Sequence, residues 1–143
     1  MAFFRLAAAA DNDSEGLSNT KTSWVETQEE LGVKAIIVTE RDAGLDGMRL
    51  MQRSEPQAAI HDAVVRVYAS GFVGTELTWP STWSDRLGRD RTPSIPGQEL
   101  AGAVTALGYG TTGLSVGQRV FGLTDWYRDG RLAEHVAVDA DAI

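Results

Sequence analysis

The sequence predicts a mainly β protein, a barrel or sandwich of short strands, and three observations carry that prediction. Fifteen glycines in 143 residues punctuate the chain with turns. Asp62–Ser70 alternates cleanly: Ala63, Val65, Val67 and Ala69 face one way, and Val64, Arg66, Tyr68 and Ser70 the other. Almost no stretch carries a helical period. The bulk numbers set the class. A hydrophobic fraction of 43% and a charged fraction of 23% are those of one soluble globular domain. A net charge of -7 with no basic stripe argues against nucleic acid as a partner. The absence of cysteine excludes disulfides and thiolate zinc sites, and only His61 and His135 offer imidazole, so no metal is expected. No apolar run approaches the ~18 residues of a membrane span. Residues 1–10 resemble a signal peptide only weakly, because Arg5 interrupts the apolar run, and a cytoplasmic location is expected.

Residues 1–33 are polar and lean acidic after the first ten, and read as a flexible, disordered N-terminal extension. The folded domain is expected over 34–143. Val33–Thr39 is β-branched and short, a strand. Asp42–Gly47 is a loop with two glycines, Met48–Arg53 a partner strand and Ser54–Gln57 a turn. After the Asp62–Ser70 strand, Thr75 and Glu76 open a short helical turn. Trp79, Pro80 and Trp83 form an indole-rich loop, and 85–91 is a charged loop.

Thr92–Gly102 is the stretch on which the rest is organised. Pro93, Pro96 and Gly97 set an extended entry and a tight turn, because proline fixes φ and glycine tolerates conformations closed to other residues. Gln98 and Glu99 are thereby held at a stiff corner where the strand Leu100–Leu107 begins. Gly108-Tyr109-Gly110-Thr111-Thr112-Gly113 spells G-x-G-x-x-G, yet the dinucleotide fingerprint needs a helix to start within it, and Gly117 and Gly122 break any helix here. The segment reads as a hairpin loop leading to a strand over Arg119–Leu123. Thr124–Gly130 is a second aromatic and charged loop, and Arg131–Val138 the last strand.

Three ordered motifs resemble the medium-chain dehydrogenase/reductase superfamily, in particular its GroES-like N-terminal segment and its zinc-independent, quinone-reductase-like branch. Ala69–Leu77 resembles A-x-G-I-C-G-T-D-L, Pro93–Gly102 resembles P-x-x-P-G-H-E-x-x-G, and Gly108–Val120 with Ala133–Val136 resembles G-x-G-V-x-x-F-x-V-G-D-R-V … A-E-Y-V. The resemblance implies a partly open GroES-like β-barrel over 34–143, incomplete relative to the family. It also implies hydride transfer from NADP(H) to a small-molecule acceptor: a quinone, an enone or a carbonyl. Val73 and Gln98 stand where zinc-dependent relatives carry a metal-binding cysteine and histidine, and neither suits zinc, so a zinc-independent reductase is implied. The family's nucleotide-binding segment is not found in these residues, so no NADP(H) is expected to bind this chain alone.

By the same resemblance, Thr75 matches the hydroxyl that relays a proton, and Gln98 is a candidate hydrogen-bond donor to the acceptor. Val73, Thr124, Trp79, Trp83 and Trp126 are candidate pocket walls. Glu76 and Glu99 are candidate structural residues, with Glu99 expected to hold the corner through backbone N–H groups. Two other readings stand beside this one: a non-enzymatic β-barrel module that binds a partner or small ligand, its exposed apolar surface favouring self-association, and a zinc alcohol dehydrogenase with degraded ligands.

Overall fold

The computed structural model describes residues 2–4 and 32–143. Seven strands are seen there: β1 Ala2–Phe4, β2 Gly32–Ile37, β3 Arg49–Ser54, β4 Asp62–Phe72, β5 Glu99–Leu107, β6 Arg119–Leu123 and β7 His135–Asp139. The main sheet runs β1-β4-β5-β6, with β7 pairing the first half of β4; β2 and β3 form a separate antiparallel hairpin. The sheets do not close into a full cylinder, and the mainly β class read from the sequence is what the chain adopts.

β4 is the hub. It pairs antiparallel with β5 along most of its length, with β7 over Asp62–Arg66, and with β1 at Ser70–Phe72. Its alternation holds through Ala63, Val65 and Val67 against Arg66 and Tyr68, but Val64 and Ser70, on the polar face by count, are also buried, and Ala69 is only half-buried. A register shift between Val64 and Val65 disturbs the alternation there.

Two cores result. Ala63, Val65, Val67, Leu100, Val104, Val120, Val136 and Val138 fill the inner face of the main sheet. Ile37, Val38, Phe72, Leu77, Trp83, Ile95 and Leu132 lie in a second cluster between the hairpin and the proline-rich corner. Each fully buried Val, Leu, Ile or Phe of these cores stabilises the fold by about 1.5–3 kcal/mol relative to exposure.

Several expectations need correcting. Asp42–Gly47 is not an open loop but part of a 3₁₀ segment, Arg41–Gly47, kinked at Gly44, whose φ is 54°. Trp79–Trp83 is not a loop either: Pro80 sits in the first turn of a four-residue helix, α1 (Pro80–Trp83), where its missing N–H costs nothing. The last strand begins at His135 rather than Arg131. Arg131–Glu134 serves instead as a seam. Arg131 and Leu132 donate to Gly97 O and Pro96 O, at 2.9 and 3.2 Å, while Leu132 O accepts from Ile36 and Glu134 donates to Lys34 O. The proposed extension, 1–33, lies mainly outside the described residues; within it, Ala2–Phe4 is a strand and Gly32 and Val33 belong to β2.

Candidate functional site

β4 ends at Phe72, and Val73 then caps a 3₁₀ turn at Gly74–Thr78. Glu76, buried in that turn, uses both carboxylate oxygens. One accepts the Val73 N–H at 3.1 Å, closing the turn on itself. The other accepts the Gly97 N–H at 2.9 Å, which ties the turn to the proline-rich corner. Thr75 and Gln98 thus each lie one residue from the same hydrogen bond. Burial pushes the Glu76 carboxyl above its ordinary value, the two backbone donors oppose that, and the charge of Glu99 adds to it.

The corner itself demands glycine. Gly97 has φ of 90°, and a Cβ there would sit 2.9 Å from Ser70 Oγ and 3.1 Å from Leu132 Cγ. The next carbonyl, that of Gln98, accepts both the backbone N–H and the hydroxyl of Thr124, at 3.1 and 3.2 Å. From Thr124 the chain leads to Trp126, whose indole packs on Trp79 with ring centroids 5.1 Å apart. Trp79 caps the 3₁₀ turn that began at Gly74. The contacts therefore form a closed ring: Thr75–Glu76, Gly97–Gln98, Thr124, Trp126, Trp79 and back.

Within this ring Thr75 and Val73 are exposed, and Gln98 is buried with its Oε1 lacking a hydrogen-bond partner. A small cleft of about 300 Å³ opens beside Thr124, lined by Arg86, Asp125, Trp126 and Tyr127. Arg86 grips Asp125 at 2.8 and 2.9 Å and covers the Tyr127 ring at 4.6 Å. Two sequence expectations shift. Trp83 is a core residue, its indole N–H donating to Leu77 O at 2.8 Å. The corner is held by Glu76 rather than Glu99, whose carboxylate lies instead over Gly71.

A larger cleft, about 670 Å³, lies elsewhere, between the β2–β3 hairpin, the 128–130 loop and β7. Its charged groups are already paired with one another or with their neighbours: Arg53 with Asp129, Arg128 with Asp62, and His135 with Glu55. The ring, not the larger cleft, gathers the motif residues.

The fit of a cofactor or metal can be tested on these residues. Gly108–Gly113 is a loop between β5 and β6, and the next element after it is the strand β6 rather than a helix. Its backbone is fastened to the start of β4: Gly108 donates to Asp62 O at 2.7 Å, and His61 donates to Tyr109 O at 2.9 Å. These groups do not form a pyrophosphate cradle. Among the described residues no cluster of three or more His, Cys, Asp or Glu could hold a metal ion, and none of their helices is long and apolar enough to cross a membrane.

Comparison with known proteins agrees with the motifs. The model of the alcohol dehydrogenase GroES-like domain matches residues 59–143. L-threonine 3-dehydrogenase of Ruegeria pomeroyi is 32% identical over 85 residues, 58% of this chain and 24% of the relative. An alcohol dehydrogenase superfamily protein from Novosphingobium aromaticivorans superposes with a TM-score of 0.63 at 29% identity, covering 77% of this chain and 33% of that one. A mycobacterial quinone oxidoreductase gives 0.62 at 26%, with 77% and 32% covered. The chain thus spans about a quarter to a third of the length of these proteins.

Proposed function

Because the chain belongs to the alcohol dehydrogenase GroES-like domain family, we propose that it is the N-terminal catalytic segment of a zinc-independent, NADPH-dependent oxidoreductase that reduces a quinone, enone or carbonyl. The observation that carries this reading is the Glu76 clamp, which brings the Thr75 turn and the Gln98 corner to one place. In this reading the Thr75 hydroxyl and the Gln98 carboxamide hydrogen-bond the acceptor oxygen as negative charge develops on it, Thr75 passes the proton, and the Trp79–Trp126 pair shields the face of the ring from water. Val73 and Gln98 are poor metal ligands, which supports polarisation by hydrogen bonds rather than by zinc. The described residues do not fit the dinucleotide, so NADP(H) would be held by residues other than these.

Calorimetric titration of this chain with NADPH, and separately with a water-soluble quinone, tests the reading. The expected result is no tight NADPH binding and a quinone-dependent shift of the Gln98 side-chain amide in nuclear magnetic resonance spectra, lost in Thr75→Val. Tight NADPH binding, or stoichiometric zinc on metal analysis, overturns it.

A further inference from the structure

The cleft beside Thr124 is walled mainly by flat groups: the Arg86 guanidinium, the Trp126 indole and the Tyr127 ring, with Thr124 and Asp125 completing the lining. Its two charges cancel. Arg86 donates to both carboxylate oxygens of Asp125 and lies over the Tyr127 ring. Asp125 Oδ1 also accepts the Tyr127 N–H at 3.0 Å, which joins the ion pair and the ring into one unit. The indole wall is braced from two sides. Arg91 Nη1 donates to Trp126 O at 3.1 Å and to Ser81 O of α1 at 2.5 Å, so the Trp126 main chain is fixed to the helix that Trp79 caps. Trp79 packs on the Trp126 ring without itself lining the cleft. Among the described residues Trp126 is nonetheless 52% exposed and Tyr127 37%. Aromatic surface held this firmly suits stacking, because flat rings offer a π face and braced side chains lose little freedom on binding.

We propose that this cleft is the ring-binding half of the acceptor site and that Trp126 sets its specificity. It favours uncharged acceptors whose carbonyl belongs to a flat, fused-ring aromatic system, such as a naphthoquinone, over alicyclic enones and small aliphatic carbonyls. The inference rests on the reductase reading and narrows it. Three observations support the choice. The walls are planar, so a planar ring gains most from them. Asp125 neutralises Arg86, so an anionic substituent gains little. Thr124 donates to Gln98 O through both its N–H and its hydroxyl, which sets the cleft beside the corner that carries the Gln98 carboxamide. A ring stacked on Trp126 therefore has its reacting oxygen on the side of Gln98 and Thr75. At about 300 Å³ the cleft is at the lower end of small-molecule sites, and suits a compact ring pair rather than a long chain.

Calorimetric titration of this chain with naphthoquinone and with cyclohexenone, read beside its nuclear magnetic resonance spectrum, tests the proposal. Naphthoquinone should bind about tenfold tighter or more. It should shift the indole N–H signals of Trp126 and Trp79 and the Gln98 amide, and leave that of the core residue Trp83 in place. Trp126→Leu should lose about tenfold in naphthoquinone affinity with cyclohexenone unchanged, and Trp126→Phe, which keeps a flat ring, should restore most of it. A naphthoquinone sulfonate should bind no tighter than naphthoquinone. Equal affinity for the two acceptors overturns the proposal, and that comparison uses the parent chain alone. So does a ring preference that survives in Trp126→Leu, or a sulfonate that binds more tightly. Each of these results leaves the reductase reading standing provided that the Gln98 amide moves. If neither acceptor binds, or the Gln98 amide is unmoved by both, the reading falls and the proposal falls with it.

Discussion

Arg131 is fully buried, and among the described residues its side chain donates only to the carbonyl of Asp129, two residues before it, Nε and Nη2 finding no acceptor there. Burial lowers its pKa to about 9, with the nearby Arg128 charge pushing the same way and Asp125 and Asp129 resisting. A guanidinium so placed is a cost to the folded state. Arg131→Met, of similar length and without the charge, should therefore stabilise the chain by about 1–3 kcal/mol in denaturant unfolding at pH 7. The pH dependence has a definite sign. The folded protein gives up this proton near pH 9 while the unfolded chain keeps it to much higher pH, so above about 9 the unfolded state binds more protons. Stability should rise with pH from about 9 in the parent relative to Arg131→Met, and equal slopes would contradict the burial. Nothing in the sequence announced this residue: at the start of an expected strand an arginine reads as an exposed end. The Glu76 clamp was half legible. Its place next to Thr75 came from the motif, but its second partner, Gly97, is a backbone N–H, which no side-chain pattern reveals.

The elements themselves were read well where one face is buried and the period is two, as in β4 and β5. Reading failed where tertiary contacts decide. Arg131–Glu134 has strand-like residues, yet its hydrogen bonds go to the proline-rich corner and to β2, so it becomes a seam between two layers. Gly130 makes that seam possible. A Cβ there would fall 2.2 Å from Pro96 O and 2.4 Å from Ile95 O, both main-chain atoms that cannot rotate aside. Gly130→Ala should thus separate the loop from the corner and destabilise by about 2–4 kcal/mol, a cost typical of overpacking against fixed atoms. A midpoint shift in urea with unchanged slope would confirm a local clash; an unchanged midpoint would mean that the loop moves freely.

At the scale of the whole molecule, a bidentate ion pair ties the Thr124–Gly130 loop to the start of β4. Arg128, from the loop beside the larger cleft, meets both carboxylate oxygens of Asp62, at 2.8 and 2.6 Å. The hydrogen bond to Arg128 holds the Asp62 carboxyl below its ordinary value of 3.8, against the opposing effect of burial. The stabilisation is therefore present above that value and is lost as pH falls through the lower, folded one. Arg128→Ala leaves a buried carboxylate without its partner and should cost about 1–3 kcal/mol, less than a fully buried pair because Arg128 is about a third exposed. Acid unfolding should also begin at higher pH in this variant, a shift visible by circular dichroism between pH 3 and about 5.

Pairing around β4 also orders events in time. Asp62 meets Asp139, and Phe72 meets Ala2, so the central strand is flanked by neighbours from near the two ends of the sequence. Long stretches of chain must be drawn together before these ladders return any free energy, and such non-local topology folds slowly. On a ribosome the apolar face of β4 emerges well before β7 does. For that interval the nascent strand has no partner on one flank, which makes it the segment a chaperone would meet first.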